Sequence, residues 1–121
     1  MTILLVFAGG MIGAPARYLL DRWVTARRAG IFPWGTFAVN LSGALILGLV
    51  LGAAGHLPGA VVTVLATGFC GALTTFSTFG YETMRLLEDG SILGAGLNAL
   101  GSLAAGIALA AAGWYLGGLI P

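Results

Sequence analysis

The chain alternates long apolar runs with a few short polar clusters. No formal charge occurs between Ala29 and Tyr81, and none between Ser91 and Pro121. A helix needs only about 20 apolar residues to cross a bilayer, so each stretch exceeds one crossing. Charges and turn residues divide the sequence into four predicted spans, about 3–23, 33–55, 60–85 and 92–116. A basic connection, Arg22 to Arg28, follows the first span. Pro33 suits the opening turn of the second helix. His56-Leu57-Pro58-Gly59 reads as a turn, and Glu88-Asp89-Gly90 closes the third span. Trp23, Trp34, Trp114 and Tyr115 lie near span ends, where amphipathic rings anchor at the membrane interface. The pattern predicts an all-α integral membrane protein, one transmembrane domain over residues 1–121 with no soluble domain or linker.

One segment departs from the apolar pattern. Gly71-Ala72-Leu73-Thr74-Thr75-Phe76-Ser77-Thr78-Phe79 threads hydroxyls between two phenylalanines in the third span. Lipid supplies no hydrogen bonds, so such a run belongs against protein, water or ions. Gly71 lies about 15 Å along a helix from Val61, near the bilayer midplane. A break in the helix there would free backbone carbonyls, which at the midplane of broken helices can coordinate a cation such as Na+. The same run also fits a hydroxyl-bonded kink in a packed helix. Phe76 and Phe79 are three apart and share a face. Their electropositive ring edges can face an anion without a full charge to trap it; equally, they could be core or lipid-facing rings.

Other polar residues extend the pattern. Asn40 sits near mid-depth of the second span, where its amide either bonds a neighbouring helix or lines a path as a donor. Asn98 and Ser102 are one helical turn apart on the fourth span and could continue a polar track. Arg17 lies deep in the first span; it either pairs with Asp21 or guards a water-filled vestibule. Glu82 lies at the far end of the third span, within reach of an ion pair with Arg85.

Composition narrows the class further. Hydrophobic residues make up 59% and charged residues 7% of the 121, against about 25% charged in soluble domains. The net charge of +1 leaves no footprint for nucleic acid. Cys70 is the only thiol, which excludes an intrachain disulfide. The start of the chain lacks a basic region before its apolar run, so the first span reads as a retained helix. No nucleophile–base pair or metal cluster can be assembled around His56 and Cys70, which argues against an enzyme. Small residues share faces at Gly9/Gly13, at Gly48/Gly52 and along Gly101, Ala105, Ala108 and Ala112. Such faces let membrane helices approach closely. Four thin helices leave little room for an enclosed path, so a site between subunits, and hence at least a dimer, is expected.

Three ordered motifs carry a family resemblance. They are Gly9-Gly10 through Gly13 to Arg17; Pro33-Trp34-Gly35-Thr36 with Asn40 and Gly43; and Gly68 through Gly71 to Phe79 with Glu82. Together they resemble the CrcB/Fluc fluoride channels over essentially the whole chain. The resemblance implies four-helix subunits, the third helix broken near its centre, in an antiparallel dual-topology-type dimer in the cell membrane. It implies passive export of cytoplasmic fluoride through two pores at the interface. It also implies a central structural Na+, not transported, held by the backbone carbonyls of Gly71 and Thr74. Phe76 and Phe79 would form the aromatic fluoride track with Asn40 donating along it, and Ser77, Thr78 and Ser102 would be candidate hydroxyls. Arg17 and Glu82 would serve the vestibules. Asn98 stands where the family often has tyrosine, and Gly106 where it often has a hydroxyl, so the outer fourth-span track differs.

Two rivals share the size and hydropathy. A small multidrug exporter of cations needs an acid deep in its first span, where this chain has none before Asp21. A non-conducting accessory subunit explains the small-residue faces but not the hydroxyl–phenylalanine run. The arginines add a topological expectation. Arg22, Arg27, Arg28 and Arg85 all fall on one side of the four-span arrangement, with Arg17 just inside. Positive charge favours the cytoplasmic side, which predicts one orientation and an oppositely oriented homologue as the antiparallel partner; the alternative is a second copy of this chain, with packing overriding the arginine bias.

Overall fold

A computed structural model describes residues 2–28, 32–74 and 77–120, without the side chain of Ser77. Among the described residues all regular structure is helical. Helix α1 spans Thr2–Arg27 and passes Pro15 without ending. Helix α2 spans Trp34–Gly52, with Pro33 immediately before it. A single tight turn, Ala54–His56, links α2 to the third span. There α3 covers residues 59–73 and α4 covers Ser77–Glu88. Helix α5 runs Ile92–Gly118. These four spans are each long and apolar enough to cross a membrane. The all-helical, four-span architecture expected from hydropathy is therefore present.

The third span is irregular. The stretch Thr63–Cys70 within α3 is wound as a wider π-helix, where the sequence suggested an ordinary apolar helix. This widened stretch is the part of α3 against which α1 presses, and a second widened stretch, Leu97–Gly101, lies in α5. At Thr74 the backbone is extended, with φ −81° and ψ 160°. Thr75 and Phe76 lie outside the described residues, and helix is again present from Ser77.

Lipid tails are as apolar as leucine, so helices gain little from burying hydrophobic surface against one another. They associate through close packing instead. Helices α2 and α5 meet backbone to backbone at two pairs of glycines. A methyl group on Gly48 or Gly52 would strike the carbonyl of Ala110 or Trp114, and one on Gly113 or Gly117 would strike that of Leu45 or Leu49. The α5 face used is thus Gly113/Gly117. Ala108 and Ala112 are exposed instead, so the alanine series expected to pack is outside this contact. Gly9 and Gly13 of α1 likewise lie against the backbone of Val64 and Phe69, with Gly68 against Val6.

Few side chains are fully enclosed; Val39, Leu73, Leu86 and Ala95 are among them. Large apolar residues such as Ile3 (83% exposed) and Leu93 (76%) point outward, as they do on surfaces covered by lipid or another subunit. The α4–α5 hairpin turns at Gly90, whose φ of +83° favours glycine. Ser91 then caps α5 by accepting from the Gly94 amide at 3.2 Å.

The glycine contacts make a direct prediction. A Cβ at position 113 would lie 2.6 Å from the Leu45 carbonyl oxygen, whereas one at position 96 meets nothing within 4 Å. Gly113→Ala is expected to lose about 1–3 kcal/mol by overpacking, with Gly96→Ala near neutral; thermal unfolding in detergent compares the two.

Candidate functional site

The face of α2 that meets the third span carries Thr36, Asn40 and Gly43 at helical spacing, and these residues organise two polar regions. The first is a groove of about 670 Å³ whose lining includes Asn40, Gly71, Thr74, Phe79 and Ser102. Its remaining lining comes from small or aliphatic residues such as Ala44, Leu47 and Leu103, and no formally charged residue borders it. Five of the residues singled out in the sequence, from three different spans, thus share one concave surface.

Local structure explains how Thr74 comes to this surface. Its amide and hydroxyl both donate to the Cys70 carbonyl, at 3.0 and 2.9 Å. Gly43 leaves room for its methyl: a Cβ there would strike Thr74 Cγ2. The extended ψ of Thr74 turns its carbonyl away from the direction that α-helical carbonyls share. Gly71 lies exposed on the same groove, with open space where a side chain would be.

Asn40 and Phe79 are half-buried at the groove, and Thr78 is exposed on the first turn of α4. Phe76 and the side chain of Ser77 lie outside the described residues. Ser102 Oγ is buried and lacks a hydrogen-bond partner, as does Asn98 Oδ1 one turn earlier. Asn98 itself is fully buried and does not border the groove. Gly106 also lies off the groove's lining.

The second polar region is a cavity of about 300 Å³ where α1, α2 and α4 end together. Asp21, Arg28, Trp34, Glu82, Arg85 and Asp89 are among its lining residues. Glu82 accepts a hydrogen bond from the hydroxyl of Thr36, which is itself buried. That bond crosses between two helices, and Arg85, lining the same cavity, adds a favourable charge interaction with the carboxylate. Asp21 accepts from Thr25 at 3.2 Å and rests against Gly35, beside the first turn of α2. A carboxylate there is favourable, because the unpaired amides of a helix start carry partial positive charge. The i+4 partner expected for Arg17 is therefore engaged elsewhere. Arg17 is half-buried on α1 and borders neither cavity. Arg27 and Arg28 stack on Trp23 and Trp34, with 4.1 and 5.0 Å from guanidinium carbon to ring centre.

Sequence reasoning missed Thr36 as the partner of Glu82. The signal was present, since Thr36 lies one turn before Asn40 on the same face. It also missed Gly43 as the seat of Thr74, and Thr83, whose hydroxyl bonds the Phe79 carbonyl one turn before it.

Residues 4–114 match the family model described as CrcB-like protein, Camphor Resistance (CrcB). A protein of Streptomyces avermitilis named Fluoride-specific ion channel FluC 1 is 53% identical over 118 residues, covering 95% of both chains. Relatives named as fluoride-specific ion channels also occur in Frankia casuarinae, 53% identical over 93% of each chain, and Moorella thermoacetica, 49% identical over 98% of each.

The Thr36–Glu82 contact is testable without any assumption about transport. Thr36→Val removes the donor and is expected to cost about 1–3 kcal/mol, with Thr36→Ser retaining most of it; thermal unfolding in detergent measures both.

Proposed function

This chain belongs to the CrcB family, and from that premise we propose that it is a fluoride-selective channel that passively exports fluoride across the cell membrane. It is a multi-pass membrane protein of an ion-channel family and not an enzyme. The observation that carries the reading is the uncharged groove that gathers Asn40, Phe79, Ser102, Gly71 and Thr74. An exporter of cationic drugs would need an acid at that depth, and an accessory subunit would need no such gathering.

The chemistry follows from what fluoride demands. The ion is small and strongly hydrated, so a dry passage must replace its water hydrogen bonds. The Asn40 amide and the Ser102 hydroxyl can donate, and the Phe79 ring can offer its electropositive edge. Phe76 completes the aromatic track in this proposal, with Ser77 and Thr78 as further hydroxyls. Each of these contacts is weaker than an ion pair, which keeps the ion mobile; a buried arginine would hold it too long. Arg17 and Glu82 act at the vestibules, where charge draws the ion in without trapping it mid-path.

One chain forms only an open half of such a passage. We propose an antiparallel dimer in which two grooves close against a second subunit and the third span is broken around Thr74. The carbonyls of Gly71 and Thr74 from both subunits would hold a structural Na+ at the centre. When bound, Na+ supplies a fixed positive charge that lowers the cost of holding anions in low dielectric. The partner is an oppositely oriented homologue, because the arginines of this chain favour a single orientation. Cysteine-labelling topology mapping that found equal populations of both orientations would instead favour a homodimer.

Fluoride-electrode recording from liposomes holding this protein, alone and with the homologue, tests the function, with chloride followed in parallel. Fluoride release without chloride release is expected, and its absence in both preparations would overturn the proposal. Phe79→Ile, Phe76→Ile and Asn40→Asp are each expected to slow release by roughly 100-fold or more, the scale of losing a preorganised donor or edge contact. Replacing Na+ with N-methylglucamine is expected to lower the melting temperature of the dimer but not to alter ion selectivity.

A further inference from the structure

The groove description leaves one polar group without a role. Asn98 is fully buried, yet it does not border the groove. Its Nδ2 donates to Thr83 Oγ1 at 2.8 Å, across the α4–α5 hairpin. The Thr83 hydroxyl in turn donates to the Phe79 carbonyl one turn back, at 2.9 Å. The polarity of this chain is determined by its last link. A carbonyl can only accept, so the single hydroxyl proton of Thr83 is committed to Phe79. Thr83 Oγ1 must then accept from Asn98, which orients the amide with its nitrogen toward Thr83.

Two consequences follow. Of the rest of the amide, Oδ1 is buried and without a hydrogen-bond partner, and the second N–H belongs to a side chain that does not border the groove. Oδ1 is an acceptor, and an acceptor repels an anion rather than coordinating it. Asn98 therefore does not extend the donor track along α5 as its spacing from Ser102 suggested. Its bonded end instead ties α5 to the turn of α4 that carries Phe79. We propose that Asn98, acting through Thr83, is the positioning residue for Phe79. This role rests on the fluoride-channel reading for its functional consequence, though not for its geometry. It matters because the ring-edge contact depends on the angle of the ring, and an error of about 1 Å in a positioned group can cost 100-fold in rate. A hydrogen bond from the fully buried Asn98 to the half-buried Thr83 resists such slippage better than helix packing alone, because breaking it leaves the enclosed amide short of a partner.

The test uses the full-length channel, assembled as it conducts, with para-fluorophenylalanine at Phe79 as a probe of the ring. Thr83→Val keeps the shape of the side chain and removes both links, whereas Thr83→Ser keeps both. Asn98→Leu removes the far donor, and Asn98→Asp offers Thr83 only acceptors, competing with the Phe79 carbonyl for its proton. The fluorine resonance, recorded in fluoride-free buffer, is expected to move in Thr83→Val, Asn98→Leu and Asn98→Asp and to stay in Thr83→Ser. Fluoride efflux is expected to fall roughly tenfold or more in the same three, and the Thr83→Val/Asn98→Leu double variant to lose no more than either single change. An unmoved resonance in Thr83→Val, or additive losses in the double variant, would overturn the proposal. If Asn98→Leu fails to fold, the isosteric Thr83→Val and Thr83→Ser pair decides it. If the unaltered channel carries no fluoride, the functional reading fails, while the resonance still decides whether Asn98 positions the ring.

Discussion

Close approach of helix backbones at glycine is the constraint on which the rest of this structure depends. Inside a bilayer, apolar side chains lose nothing by facing lipid, so they cannot drive helices together. Contact between α2 and α5 is made instead where Gly48, Gly52, Gly113 and Gly117 let each backbone touch the other. Gly9, Gly13 and Gly68 do the same for α1 and α3. These two contacts set the lateral positions of the spans. The groove, whose lining includes Asn40 from α2, Gly71 and Thr74 from α3 and its end, Phe79 from α4 and Ser102 from α5, depends on both.

Polar groups are distributed on that frame according to how much each can be satisfied. At the charged end, carboxylates remain because partners reach them: Thr36 serves Glu82, and Thr25 and the start of α2 serve Asp21. At mid-depth no carboxylate or guanidinium borders the groove among the described residues, whose polar side chains there are the Asn40 amide, the Thr74 and Ser102 hydroxyls and the Cys70 thiol. In the proposed channel that contrast would separate attraction from passage. Full charges sit where water can reach them, and weaker dipoles line the part where an ion would have to shed its own water. The Asn98–Thr83–Phe79 chain belongs to neither class. In the proposal above it links α5 to α4 through Thr83 and holds a helix turn in place.

Much of this was readable before any fold was known. The four spans followed from charge-free length, and the third-span anomaly from hydroxyls placed where lipid offers no partner. The convergence of Asn40, Gly71, Thr74, Phe79 and Ser102 was implied by the resemblance. Pairings across helices were read less well. Spacing along one helix suggested Arg17 with Asp21 and Glu82 with Arg85, because i+3 and i+4 neighbours are the only ones a single helix reveals. The partners found for the two acids include Thr36 and Gly35 on a different span. The face of α5 that meets α2 was not singled out by spacing for the same reason: several faces of that helix carry alanine or glycine, and only the neighbour chooses among them.

What the sequence determined by itself is therefore the solvent, the number of crossings and the segment that cannot be ordinary apolar helix. Each of these depends on the local count of polar groups, which the chain carries without reference to its neighbours. The tertiary structure decided which glycine face meets which backbone, which hydroxyl satisfies each buried acid, and that Asn98 turns its donor toward Thr83. Those outcomes depend on rotations and separations between helices, and such quantities are set by steric contact between residues far apart in the chain.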